Sequence, residues 1–153
     1  MNKTIAIVGV IIVILVIAGV LAATLGHKSN NTTPATTSQP ATVQYSIKTI
    51  TSAQYGTYLA NQAGYALYTY SNDKPNSGNS TCYSSCAQNW PPFYTANLTL
   101  APGLSATSFG TITRTDGTKQ LTYDGMPLYL FIGDHSPGTV NGNGIAGFAV
   151  AKT

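Results

Sequence analysis

Charge is scarce in this chain. Only 7% of its 153 residues are Asp, Glu, Lys or Arg, against about 25% in an average soluble domain. Glutamate is absent, and the acids are Asp73, Asp116, Asp124 and Asp134. The basic residues, Lys3, Lys28, Lys48, Lys74, Arg114, Lys119 and Lys152, are scattered along the chain. Binding to nucleic acid needs cations gathered on one face to neutralise phosphates, so nucleic acid is set aside as a partner. Metal chemistry is equally poorly supplied. A blue-copper site needs two histidines, a cysteine and usually a methionine. Here His27 is remote, and His135 follows Cys82 and Cys86 by about fifty positions, with Met126 between. Zinc hydrolysis wants at least three ligands beside an open position, and no Gly-x-Ser-x-Gly elbow supports a Ser-His-Asp triad. The expectation is a protein without a cofactor, and one that is not an enzyme.

What is plentiful is Thr, Ser, Asn, Gly and Tyr, together with one long apolar run. Ile5 to Leu25 are 21 uncharged residues, enough for a helix of about 30 Å, the thickness of a bilayer core. A cleavable signal has a shorter apolar core of roughly 7–15 residues, so a retained anchor over residues 1–26 is expected. Cleavage after Ala23, in Leu21-Ala22-Ala23, is the alternative. No cysteine near this run could carry a lipid. Residues 27–42, HKSNNTTPATTSQPAT, cannot bury apolar area and read as a stalk. Residues 43–153 then form an extracytoplasmic domain, single-pass tethered at the cell membrane, or secreted if the leader is removed. Beyond the anchor, Asn30, Asn31, Asn79 and Asn97 head glycosylation sequons.

The domain alternates with period two, as half-buried strands do, over Val43–Ile50, Tyr65–Tyr70, Gly110–Thr115 and Lys119–Tyr123. Asp116-Gly117 and Asp124-Gly125 predict tight hairpins with positive φ angles. Long 3.6-residue periodicity is missing after the anchor. The expected fold class is mostly β, a small antiparallel domain of two repeats near 55–75 and 118–136. The repeats are visible as a self-match. Gly64-Tyr65-Ala66-Leu67-Tyr68-Thr69-Tyr70-Ser71-Asn72-Asp73 aligns without gaps to Gly125-Met126-Pro127-Leu128-Tyr129-Leu130-Phe131-Ile132-Gly133-Asp134, offset by 61 residues. The shared pattern is Gly-x-x-Leu-Tyr-x-aromatic-x-x-Asp, and it predicts two pseudo-symmetric halves packed together. Alternation puts each Leu and each Tyr on opposite strand faces. Asp73 and Asp134 fall past the strand ends, where an Asp most often caps a turn through backbone N–H groups. A ligand role for Tyr68, Tyr70, Asp73, Tyr129, Phe131 and Asp134 is the alternative.

At these residues the chain resembles the secreted-repeat lipoprotein family, whose members repeat a Tyr-x-aromatic-x-x-Asp motif. The family also carries a Cys-x-x-x-Cys loop and an Asn-Trp-Pro-Pro corner. Both occur here, as Cys82-Tyr83-Ser84-Ser85-Cys86 and Asn89-Trp90-Pro91-Pro92. Further matches are Thr113–Gln120, Tyr123–Tyr129 and Asp134–Gly147, so the resemblance spans about residues 50 to 151. Two departures stand out: the apolar run replaces the family's lipidated cysteine, and Phe148 stands where a tryptophan is expected. The resemblance implies an envelope location and no assigned activity.

Cys82 and Cys86 are the only cysteines, and outside the cytoplasm two close cysteines usually pair. The expected disulfide would fix the turn presenting Trp90, Pro91 and Pro92; a redox-active or ligating pair is the alternative. Tyr65, Tyr68, Tyr70, Trp90 and Phe93 either fill the core between the halves or form an aromatic platform for a glycan or apolar ligand. Three functions remain. The first is a non-enzymatic binding or structural module, with the membrane and an envelope protein or glycan as partners. The second is a redox or electron-transfer accessory. The third is a surface filament subunit.

Overall fold

The computed structural model describes residues 43–153, which fall within one compact unit. The expected anchor, the stalk and the sequons at Asn30 and Asn31 lie outside the described residues. Among the described residues no helix is long and apolar enough to cross a membrane.

The fold is mostly β and entirely antiparallel within its sheets. Strands β1 (Ile47–Ser52) and β2 (Gly56–Asn61) form one hairpin. Strands β4 (Phe109–Thr113), β5 (Lys119–Tyr123) and the short β6 (Met126–Pro127) form a second, three-stranded unit. Strand β3 (Tyr68–Tyr70) pairs with β7 (Phe148–Val150). Among the described residues, one helix, α1 (Ser85–Asn89), and a 3-10 turn at Ala106–Ser108 complete the regular structure.

The two hairpins are pseudo-equivalent, and the chain ends of the halves are exchanged between them. In the first half, Leu59 N–H donates to Ala151 C=O (2.8 Å), and Leu67 N–H donates to Leu59 C=O (2.9 Å). In the second, Leu121 N–H donates to Phe93 C=O (2.8 Å), and Leu128 N–H donates to Leu121 C=O (2.9 Å). Phe93 closes the first repeat yet lies on the second, while Ala151 closes the second yet lies on the first. Neither half can satisfy its own backbone alone.

Strand alternation divides the interior into two cores. Leu59, Leu67, Leu121 and Leu128 join Ile47 and Phe93 in one. Tyr58, Tyr68, Tyr129, Trp90, Phe148 and Cys82 form the other. The expected opposition of Leu and Tyr within each repeat is therefore met.

Several expected boundaries shift. β1 begins at Ile47, because Ser46 turns aside to bond Thr99 through both its N–H and its hydroxyl. Only Tyr68–Tyr70 of the expected Tyr65–Tyr70 strand is regular, since the chain there passes from β2 to β7. Asp124-Gly125 makes the expected two-residue turn, with φ of 46° and 79°. Asp116-Gly117 also lies in the expected hairpin, between β4 and β5, but with a longer turn. Its loop has three residues, closed by Arg114 N–H to Thr118 C=O (2.8 Å), and only Gly117 takes positive φ. Asp116 instead accepts from Thr118 N–H and hydroxyl at 3.0 and 2.6 Å, which holds its carboxyl below the usual range.

Candidate functional site

The repeated motif is spent across the pseudo-dyad. Tyr68 and Tyr129 face each other through two backbone bonds, each N–H donating to the other's C=O at 2.9 Å. From this central pair each phenol runs to the opposite repeat. Tyr68 Oη donates to Asp134 Oδ2 at 2.6 Å, and Tyr129 Oη donates to Asp73 Oδ2 at 2.6 Å. The motif's spacing follows from the turn after each Tyr-x-aromatic segment, where Asp73 N–H donates to Tyr70 C=O and Asp134 N–H to Phe131 C=O, both 3.1 Å. That turn swings the carboxylate back toward the dyad.

The second oxygens hold loops. Asp73 Oδ1 accepts the N–H and hydroxyl of Thr81, both at 2.7 Å. Asp134 Oδ1 accepts Asn141 N–H at 2.8 Å. The expected role of each Asp as an acceptor for backbone N–H is thus met, but across loops of several residues and with a phenol from the other repeat added. Both carboxylates are buried, and short bonds to an ionised acceptor are the strong kind. Burial, with the adjacent carboxylate next in importance, pushes both phenols far above the ordinary tyrosine range. They hold their protons throughout the neutral range.

The second half of the clasp carries an extension that composition did not reveal. The Arg114 guanidinium is buried and donates to Ser80 Oγ (2.8 Å), Gln120 Oε1 (2.7 Å) and Cys82 C=O (2.6 Å). Since Tyr129 gives its hydrogen to Asp73, Ser80 Oγ must donate to Tyr129 Oη (2.7 Å). A chain of hydrogen bonds therefore joins a buried cation to a buried anion through two hydroxyls. Gln120 Nε2 closes the network on Leu128 C=O (2.9 Å). Among the described residues no buried side-chain polar atom lacks a partner. Arg114 is the only arginine in the chain, the one sequence signal that singled it out.

Around the clasp the aromatic residues form a column rather than a surface platform. Phe148 stacks on Trp90 (3.8 Å between centroids, 4° between planes), Tyr70 stacks on Phe148 (4.2 Å), and Phe131 stacks on Trp90 (4.3 Å). Tyr68 meets Trp90 edge-on at 5.3 Å. Tyr68 and Trp90 are buried and Tyr70 is half-buried, so the platform alternative fails at these residues. Cys82 and Cys86 are bonded, with Cα atoms 5.3 Å apart. Cys86 lies in α1 and its C=O accepts Trp90 N–H at 2.8 Å, so the disulfide anchors the turn that delivers the indole. Pro91 C=O accepts Leu130 N–H at 2.9 Å, and Pro92 bridges Tyr129. The corner thus lies beside the second motif.

The structure gathers Tyr68, Tyr70, Asp73, Tyr129, Phe131, Asp134 and Trp90 into one interior cluster. His135 stays exposed at an apolar cleft lined by Tyr65, Pro91, Leu130, Phe131 and Ile132. Asn79 and Asn97 are exposed.

Comparison with known families finds one match. Residues 48–94 and 110–151 each fit the profile described as a secreted repeat of unknown function. No match was found among curated proteins or solved structures. The two matched segments coincide with the two interlocked halves and cover more than half of the chain. The chain belongs to this family of secreted repeats.

Proposed function

We propose that this protein is a non-enzymatic module held outside the cytoplasm by its apolar N-terminal segment, and that its repeated motif is an internal clasp. One observation carries the reading: both motif carboxylates and both motif phenols are buried and bonded to each other across the repeats. Groups so committed are unavailable to a substrate without opening the core. What remains for a partner is the neutral outer surface, which suits an envelope protein or a glycan, and where the sequons at Asn79 and Asn97 would carry sugar. The electron-transfer alternative draws support from the aromatic column around Trp90 rather than from the cysteines.

The clasp reading is tested by Asp134→Asn and Asp73→Asn. Each substitution should lower the melting temperature of the full chain. Unchanged melting would return the motif to the role of a ligand site. The tether is tested by fractionation and protease shaving of intact cells. The domain should sediment with membranes and be digested from outside; an intact mass beginning at Thr24 would show that the leader is cleaved.

A further inference from the structure

Trp90 is the only tryptophan in the chain. Its ring is buried, 4% exposed, but the residue borders a surface cleft of about 270 Å³ with Tyr70, Ser85, Cys86 and Asn89, so an oxidant seated there is close enough to take an electron without touching the ring. Its stacked neighbours, Phe148 and Phe131, are hard to oxidise. Tyr70 lies beyond Phe148, and Tyr129 meets Phe148 edge-on. Tyr68 is the readily oxidised ring packed against the indole, at 5.3 Å.

A phenol gives up an electron readily only if its proton can leave at the same time, because the protonated radical is a strong acid. Tyr68 has a proton acceptor in place: its hydrogen points at Asp134 Oδ2 across 2.6 Å. Its oxygen also accepts Gly142 N–H at 3.3 Å, a donor that would continue to serve the oxygen after the proton has gone. Tyr68 is fully shielded from solvent, so a radical formed there would be protected from bimolecular loss.

We infer that Trp90, Tyr68 and Asp134 form a one-electron oxidation relay that moves an oxidising equivalent from the surface cleft into the core. A diffusible radical oxidant takes one electron from Trp90 and becomes its reduced anion. Tyr68 then returns one electron to Trp90 while its proton passes to Asp134 Oδ2. The net change is radical oxidant, phenol and carboxylate to reduced anion, neutral tyrosyl radical and carboxylic acid, with charge conserved. A one-electron reductant from outside reverses it, and Asp134 gives the proton back. The protein would act as a radical sink outside the cell, a property independent of whether the module also binds a partner.

Pulse radiolysis of the full chain with azide radical tests the relay, since a single indole gives an unambiguous starting signal. The indole radical should decay as a phenoxyl absorbance rises, at a rate independent of protein concentration. In Tyr68→Phe the indole radical should persist at least about tenfold longer. Asp134→Asn should slow the transfer by about tenfold or more, while Tyr70→Phe leaves it unchanged. If Asp134→Asn does not fold, the native chain in heavy water serves instead, and the transfer should slow measurably. The relay is overturned if indole decay is as fast in Tyr68→Phe as in the native chain. It is overturned equally if the rate ignores both Asp134 and solvent deuterium.

Discussion

Trp90 and Phe148 stand at equivalent places in the two repeats, three residues before Phe93 and Ala151, and their rings lie face to face across the pseudo-dyad. The family resemblance leads one to expect a tryptophan at 148. Phenylalanine retains the stacking and leaves a single indole in the column. Phe148 is buried and also stacks on Tyr70. Phe148→Ala should therefore destabilise by about 3–5 kcal/mol, the range for a buried aromatic cut to alanine. Chemical denaturation followed by Trp90 fluorescence will measure it.

Arg114→Met should be among the most damaging single changes. It leaves Ser80, Gln120 Oε1 and Cys82 C=O without their donor in a buried site, and losing one partner of a buried charge network costs roughly 3–5 kcal/mol. Asp116→Asn, which removes the charge of an exposed partner 3.4 Å from Nε but keeps an amide oxygen to accept from Thr118, should change stability little. Urea unfolding of the two variants side by side will separate them.

The disulfide should contribute modestly. It closes a loop of five residues, worth roughly 2 kcal/mol on the loop-entropy relation, although Cys82 is fully buried. Cys82→Ser with Cys86→Ser should lower the melting temperature but leave a folded domain, as judged by near-ultraviolet circular dichroism of the column.

Stability should depend on alkaline pH in a definite direction. Tyr68 and Tyr129 have folded values raised above their unfolded value near 10.0, first by burial and then by the carboxylates they face. Their contribution is fully present below that pH. It is lost as pH rises further, because the unfolded chain ionises first and the folded phenols do not. The limiting slope is about 1.4 kcal/mol per pH unit for each phenol. Tyr68→Phe with Tyr129→Phe should flatten the loss, which guanidinium midpoints measured from pH 8 to 11 will show.

Much of this fold could be read from residues in order, and the reason is local chemistry. The Asp124-Gly125 turn and β5 (Lys119–Tyr123) appear where alternation and positive-φ preference place them. The self-match found the motif and the halves. It could not find the partner of each Tyr, because a repeat shows which residues are alike and not which ones touch. Tyr68 and Asp134 are 66 positions apart, and nothing local distinguishes that pairing from Tyr68 with Asp73. The network of Ser80, Arg114 and Gln120 was missed for the same reason. Gln120 looks like an exposed strand residue, yet its amide is fully buried because Arg114 and Leu128 C=O satisfy both ends. Helix α1 spans only five residues, too short for periodicity to register, and its link through Cys86 stands in for helical propensity.

The reciprocal clasp is the central claim, and a pair of double-mutant cycles tests it most directly. Tyr68→Phe with Asp134→Asn crosses the repeats, whereas Tyr68→Phe with Asp73→Asn stays within one. The crossed pair should show a coupling energy of about 1 kcal/mol or more, while the pair within one repeat should be additive to within roughly 0.5 kcal/mol. Stronger coupling within a repeat than across the two would contradict the account.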